Sequence, residues 1–207
     1  MPDPLPKIWN MPSSLSTKNV RYIDFHLSRP KIDYIQELER FDPVSRDQAP
    51  DFIFFKLRNI SSAYKANSPD LMTITDGLLI VSQKFRDLLL RFDLGATQLF
   101  EVPLYEYDQK TRRPGTWYIL HIAVKKHTVI PEKSENVREK PVKGFWGPTG
   151  YAEDVLAVHA SSAVGEDLWA DPHFSGRLFL SDRLKTAIKS EGLRFIHVPM
   201  RPCIVVE

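Results

Sequence analysis

The sequence predicts an α+β protein, a mixed and largely antiparallel sheet with a few flanking helices that contains two similar strand-helix-strand units. Three observations predict it. "LIVSQKFRDLLLRFDLGATQLFEVPLY", from residue 79, and "LFLSDRLKTAIKSEGLRFIHVPM", from residue 178, both run from an apolar tripeptide into a serine, an amphipathic stretch, a glycine and an apolar segment ending in Val-Pro. Trp117 to Val124 is almost continuously apolar, as a strand buried on both faces requires. "DFIFFKLRNI", from residue 51, is dense in the aromatic and branched residues that favour strands. The 207 residues, 43% apolar and 26% charged, have ordinary globular composition and suffice for a packed core.

In chain order, "MPDPLPKIWNMP" carries four prolines and lacks the cationic and apolar regions of a secretion signal. "SRPKIDYIQELERFDP" reads as a short helix, with Ser28 as cap, Pro30 near its first turn, Ile32, Ile35 and Leu38 on one face, and a stop before Pro43. Residues 1–67 are expected to form an N-terminal region, a lesser lobe packed on a main domain of residues 68–207.

In the first repeated unit, Phe85, Leu88, Leu89 and Phe92 fall at helical spacing after a strand at Leu78 to Val81. Ser82 is placed to accept a hydrogen bond from a first-turn N–H, and Gly95 suits a left-handed residue past the helix end. The second unit places Ser181, Asp182, Leu184, Ala187, Ile188 and Gly192 in the same order. Between them, Asp108 to Thr116 reads as a polar turn and Trp117 to Val124 as a central strand, whereas Pro131 to Gly150 shows no sustained period and reads as a long loop.

The search for chemistry returns little. Six histidines occur without HExxH, HxH or a His/Cys cluster, so neither a metal site nor a cofactor is expected. No Gly-rich phosphate loop or Gly-x-Ser-x-Gly elbow appears, so no catalytic residue is assigned and a non-enzymatic protein is expected. The competing readings are a small enzyme using His121 or His159 and a general interaction scaffold. Single Cys203 excludes an intrachain disulfide and fits a reducing cytoplasm. No apolar run reaches the roughly 20 residues of a membrane helix, and a net charge of +2 is too small to indicate direct nucleic-acid binding.

Charge is uneven along the chain. Residues 125–143 carry six Lys or Arg against three Glu, a balance of +3, and residues 151–176 carry five acids and no Lys or Arg, a balance of −5. Aromatic residues lie beside this asymmetry. Phe145, Trp146, Tyr151, Glu153, Asp154, Glu166, Asp167, Trp169 and Asp171 are therefore the candidate protein-binding residues, because rigid rings surrounded by charge favour partner recognition.

The series "SPDLMTITDGLLIVSQKFRDLL", "LFEVPLY", "WYILHIAVKKHTVIPEKS" and "LFLSDRLKTAIKSEGLRFIHV" resembles immunity protein family eleven of bacterial polymorphic toxin systems over about residues 68–199, with Ser82, Ser134 and Ser181 as landmarks. The chain departs from that family's pattern at His121, where Asn is usual, and at His127, where Asp is common. The resemblance implies an antidote without enzymatic activity that binds the toxic domain of a cognate secreted toxin, often a nuclease, in the cytoplasm of the producing cell.

Overall fold

The computed structural model describes residues 5–12, 23–27, 31–56, 68–73, 77–150, 153–195 and 198–207. In chain order the first half holds β1 (Ile8–Pro12), β2 (Ile23–His26), α1 (Lys31–Arg40), β3 (Phe52–Phe55), β4 (Leu71–Thr73), β5 (Leu79–Ser82), α2 (Gln83–Leu89), β6 (Gln98–Val102) and β7 (Leu104–Tyr105). The second half holds β8 (Trp117–His121), β9 (Val137–Glu139), β10 (Trp146–Pro148), β11 (Ala157–His159), β12 (Leu168–Ala170), β13 (Arg177–Ser181), α3 (Asp182–Ser190), β14 (Arg201–Pro202) and β15 (Ile204–Val206). Antiparallel pairs dominate, with β3–β7 and β11–β15 parallel, so the class is α+β.

Among the described residues the strands do not join into one sheet. They form two four-stranded sheets, β4-β5-β8-β6 and β12-β13-β1-β14, a three-stranded sheet β2-β3-β7, and the pairs β9–β10 and β11–β15. Strands of two to five residues are too short to extend one continuous surface, and each break lets the chain turn onto a new layer.

Period-two alternation explains how the layers stack. Leu79 and Val81 of β5 and Tyr118 and Leu120 of β8 face the same cluster as Leu178 and Leu180 of β13, Phe85 and Leu88 of α2, and Leu184 and Ile188 of α3. Ile80, Trp117 and Ile119 point the other way, onto Ile23, Phe25, Ile53, Phe55 and Tyr34. All five residues of β8 are buried and the strand lies between β5 and β6, the central position expected of its unbroken apolar run. β13 repeats the arrangement, with Phe179 turned toward Trp169, Phe174 and Leu156. Each fully buried aliphatic side chain here contributes about 1.5–3 kcal/mol relative to exposure.

The helices follow the local rules. Ser82 Oγ accepts from Phe85 N and Ser181 Oγ accepts from Leu184 N, each at 3.2 Å. Gly192, at φ 61°, follows the Glu191 cap of α3 as expected. Gly95 does not play that part for α2, which is capped at Leu90. Gly95 has φ 52° in a later turn, where an added Cβ would stand 2.8 Å from Val124 Cγ2 and 2.9 Å from Glu166 Cγ, so close packing fixes this glycine. In α1, Tyr34 is fully buried and Phe41, at φ 53°, closes the helix before Pro43. Ser28, Pro30 and the side chains of Ile32 and Ile35 lie outside the described residues.

β1 sits between β13 and β14, with Ile8 opposite Ser181 and Pro12 opposite Arg177. Among the described residues, no helix is long and apolar enough to cross a membrane.

Candidate functional site

The stretch from Pro131 to Gly150, unpatterned in sequence, folds into a one-turn 3-10 segment and the β9–β10 hairpin, with Trp146 opposite Glu139 and Pro148 opposite Val137. Cross-strand hydrogen bonding, which leaves no periodic signature in so short a ribbon, supplies the order. Lys140 N donates to Phe145 O at 2.6 Å, and Glu139 Oε1 accepts from Gly144 N at 2.7 Å to close the tip.

The hairpin is stitched to the segment that follows β12. Trp146 N donates to His173 O at 2.8 Å and Ser175 N donates to Trp146 O at 2.9 Å. An added Cβ on Gly147 would stand 2.5 Å from Lys140 Cε and 2.7 Å from Ser175 Oγ. This close approach holds the tip beside a groove of about 930 Å³, floored by Leu79 and Leu120 and walled by Phe41, Val142, Phe145 and Phe174. At its rim Val142 is 63% and Phe145 40% exposed, large apolar groups that the fold leaves in water. Lys143 beside them is exposed and Lys140 half-buried.

Acids and rings alike are divided between the interior and the surface. Asp167, Trp169, Asp171 and Asp154 are buried, while Glu153 is exposed and Glu166 half-buried. Tyr151 lies outside the described residues. Asp167 receives Arg183 Nε at 2.5 Å and Nη2 at 2.6 Å. Asp154 receives Arg177 through two nitrogens and lies 3.6 Å from Arg201. Glu153 pairs with Arg201 at 2.6 Å and Glu166 with Lys126 at 3.3 Å. Asp171 Oδ2 accepts from Thr128 N and Val129 N, both at 2.8 Å, and its Oδ1 from His173 N at 2.9 Å. The −5 of residues 151–176 is thus met by cations and N–H groups, most of them from outside the segment.

Burial alone would raise the Asp154 carboxyl, but the hydrogen bonds and charge of Arg177, with Arg201 behind them, hold it below the ordinary carboxylate range. Trp169 is sealed between Lys126, whose Nζ stands 4.3 Å above its ring, and Thr128, whose Oγ1 accepts from its indole N–H at 2.8 Å. These residues hold the segment in place, and Phe145, Trp146, Glu153 and Glu166 keep contact with solvent.

Of the two histidines of the enzyme reading, His121 is fully buried and its Nε2 lies 2.7 Å from Asp42 O, the geometry of an imidazole N–H donating to a carbonyl. Burial holds its pKa below the ordinary histidine value, against the opposing effect of that bond and of Glu37 and Asp42. His159 is exposed at the end of β11, in a different sheet. The fold does not join them in a common site.

A group absent from the sequence pattern does assemble. His127 and His173 stack with ring centroids 4.9 Å apart and Nδ1 atoms 3.2 Å apart, against the Asp171 carboxylate. Their separation of 46 positions hides the cluster from any motif search; in sequence, Asp171 stands two positions before His173, and nothing links either residue to His127.

A family model described as Immunity protein family (Imm11) matches residues 23–198. No curated protein matches the chain.

Proposed function

Because the chain belongs to the Imm11 immunity protein family, we propose that it binds and neutralises the toxic domain of one cognate secreted toxin, in the cytoplasm of the cell that makes both. The observation that carries the docking site is the exposed apolar pair Val142 and Phe145 at the rim of the groove. Large apolar groups held on a rigid hairpin lose little entropy on binding and gain the burial energy that the monomer forgoes.

Among the described residues, Trp146, Glu153 and Glu166 are the remaining accessible members of the proposed contact set, and Asp154, Asp167, Trp169 and Asp171 are its buried members. Lys140 and Lys143 flank the tip. That charge suits an acidic border on the toxin rather than the basic substrate cleft of a nuclease, so a nuclease partner would be held at a surface beside its cleft. Immunity of this kind works by binding and requires no chemistry of its own.

Co-expression with the toxin encoded beside the gene tests the reading: growth is expected to recover and the two chains to co-purify. Phe145→Ala with Val142→Asp is expected to weaken toxin binding at least ten-fold with an unchanged melting temperature, and Lys143→Glu to slow association in a salt-dependent way. Absence of rescue and of any complex would overturn the function, and full affinity in the double variant would overturn the docking surface.

A further inference from the structure

We propose that His127, His173 and Asp171 form a binding site for a divalent transition metal of the zinc class. Two nitrogens bound to one tetrahedral zinc at about 2.0–2.1 Å stand about 3.4 Å apart, and the Nδ1 atoms of His127 and His173 stand 3.2 Å apart. One ligand atom from each of the three residues lies within 4.8 Å of those of the other two. Both histidines are exposed side chains on loops, so the remaining closure needs only side-chain rotation.

The carboxylate is the preorganised member. Asp171 is 4% exposed and is fixed by Thr128 N and Val129 N on Oδ2 and by His173 N on Oδ1. Oδ1 accepts one bond and keeps a lone pair for a cation. Backbone groups that orient a ligating carboxylate are the kind of outer partner that tunes metal sites. Thr128 is itself anchored by the Trp169 indole N–H, and Phe145 meets the His173 ring edge-on at 5.5 Å. Two imidazoles and one carboxylate select zinc, cobalt, nickel or copper over magnesium or calcium, and three protein ligands leave the fourth position open to water.

The competing account of the short Nδ1 separation is a hydrogen bond between two neutral imidazoles, and titration separates the two. Tag-free full chain is titrated with CoCl2 and then ZnCl2, following visible absorption and heat. One equivalent of Co2+ is expected to give the intense spectrum of a tetrahedral complex, which Zn2+ displaces. His127→Gln and His173→Gln are each expected to lose at least ten-fold in affinity, while His26→Gln, at another exposed histidine, keeps wild-type binding. Melting curves without metal check the fold, and His127→Gln, whose side chain holds no backbone group, remains informative if His173→Gln unfolds. Failure of wild type to bind one equivalent, or equal binding by the His127→Gln/His173→Gln double variant, overturns the site. No toxin enters the assay, so the outcome is independent of the docking proposal.

Discussion

Asp167 and Ser181 are joined twice: the Ser181 hydroxyl donates to Asp167 Oδ1 at 2.5 Å, and the Ser181 amide donates to the Asp167 carbonyl at 3.0 Å. Asp70 and Ser82 make the same two bonds at 2.6 and 3.0 Å. Each aspartate then reaches across to the chain leaving the other unit's helix. Asp167 Oδ2 accepts from Asp93 N at 2.9 Å, and Asp70 Oδ2 accepts from Arg194 N at 2.8 Å. The backbone amides of Asp167 and Asp70 donate back to the carbonyls of Asp93 and Arg194 at 2.7 and 2.9 Å. The repeated serine is therefore one half of a crossed clasp that ties β5–α2 to β13–α3, which explains why the pattern occurs twice.

Removing one arm of the clasp should strand its partners. Asp167→Ala leaves the Asp93 N–H and the Ser181 hydroxyl without their acceptor, a loss of about 1–3 kcal/mol for unsatisfied groups, and Ser181→Ala should cost about 1 kcal/mol as a lost cap. In urea denaturation the double variant is expected to lose less than the sum of the two, because both remove the same bond. Strict additivity would show that this bond does not stabilise the fold.

Asp154 should make stability acid-sensitive. Its folded pKa is depressed, so its contribution is present above the unfolded value and is lost as pH falls through the folded one. Asp154→Asn leaves the half-buried Arg177 without its counter-charge and should cost about 3 kcal/mol at pH 7. The gap from wild type should narrow below about pH 4, where the unfolded carboxyl protonates. Urea midpoints from pH 3 to 7 measure it, and a gap that stays constant contradicts the assignment.

His121 should act in the same direction at a higher pH. Its folded pKa is lowered by burial, so the neutral form is favoured in the fold, and its contribution is present above about pH 6.5 and lost as pH falls. His121→Gln places an amide N–H where Nε2 donates to the Asp42 carbonyl and has no charged form. The variant's melting temperature is expected to fall less than that of wild type between pH 7 and pH 5, and parallel curves would exclude this role for His121.

Cys203 should be inert in the folded protein. Burial pushes its thiol up to about 12, with Asp154 adding to the rise and the Asn10 amide, which donates to Sγ at 3.5 Å, opposing it. Labelling by a disulfide reagent at pH 8 should be at least about a hundred-fold slower in the native chain than in urea, since the thiolate is the nucleophile. The raised pKa also means that this residue's contribution to stability is lost as pH rises from about 9 through about 12. Rapid native labelling would contradict both statements.

Several elements were legible because their causes are local or periodic. Ser82 and Ser181 cap helices through an amide three residues on, and the continuous apolar run from Trp117 places β8 at a sheet centre whatever its neighbours. The β9–β10 hairpin was not legible, because its order comes from pairing across a ribbon of three residues per strand. The candidate contact set was only partly so. Sequence supplied the acids and rings of residues 145–171, but burial of Asp154, Asp167, Trp169 and Asp171 depends on Arg177 of β13, Arg183 of α3, and Lys126 and Thr128 of a loop.

The sequence by itself determined the α+β class, the capped repeat and the family resemblance, since each depends on residue types at short, fixed spacing. Only the tertiary structure decided which charges remain free, that Val142 and Phe145 stand exposed beside a groove, and that His127 meets His173 over Asp171. The physical reason is range: strand register and loop packing fix contacts between residues tens of positions apart, and a linear pattern carries no record of which distant partner will neutralise or bury a given side chain.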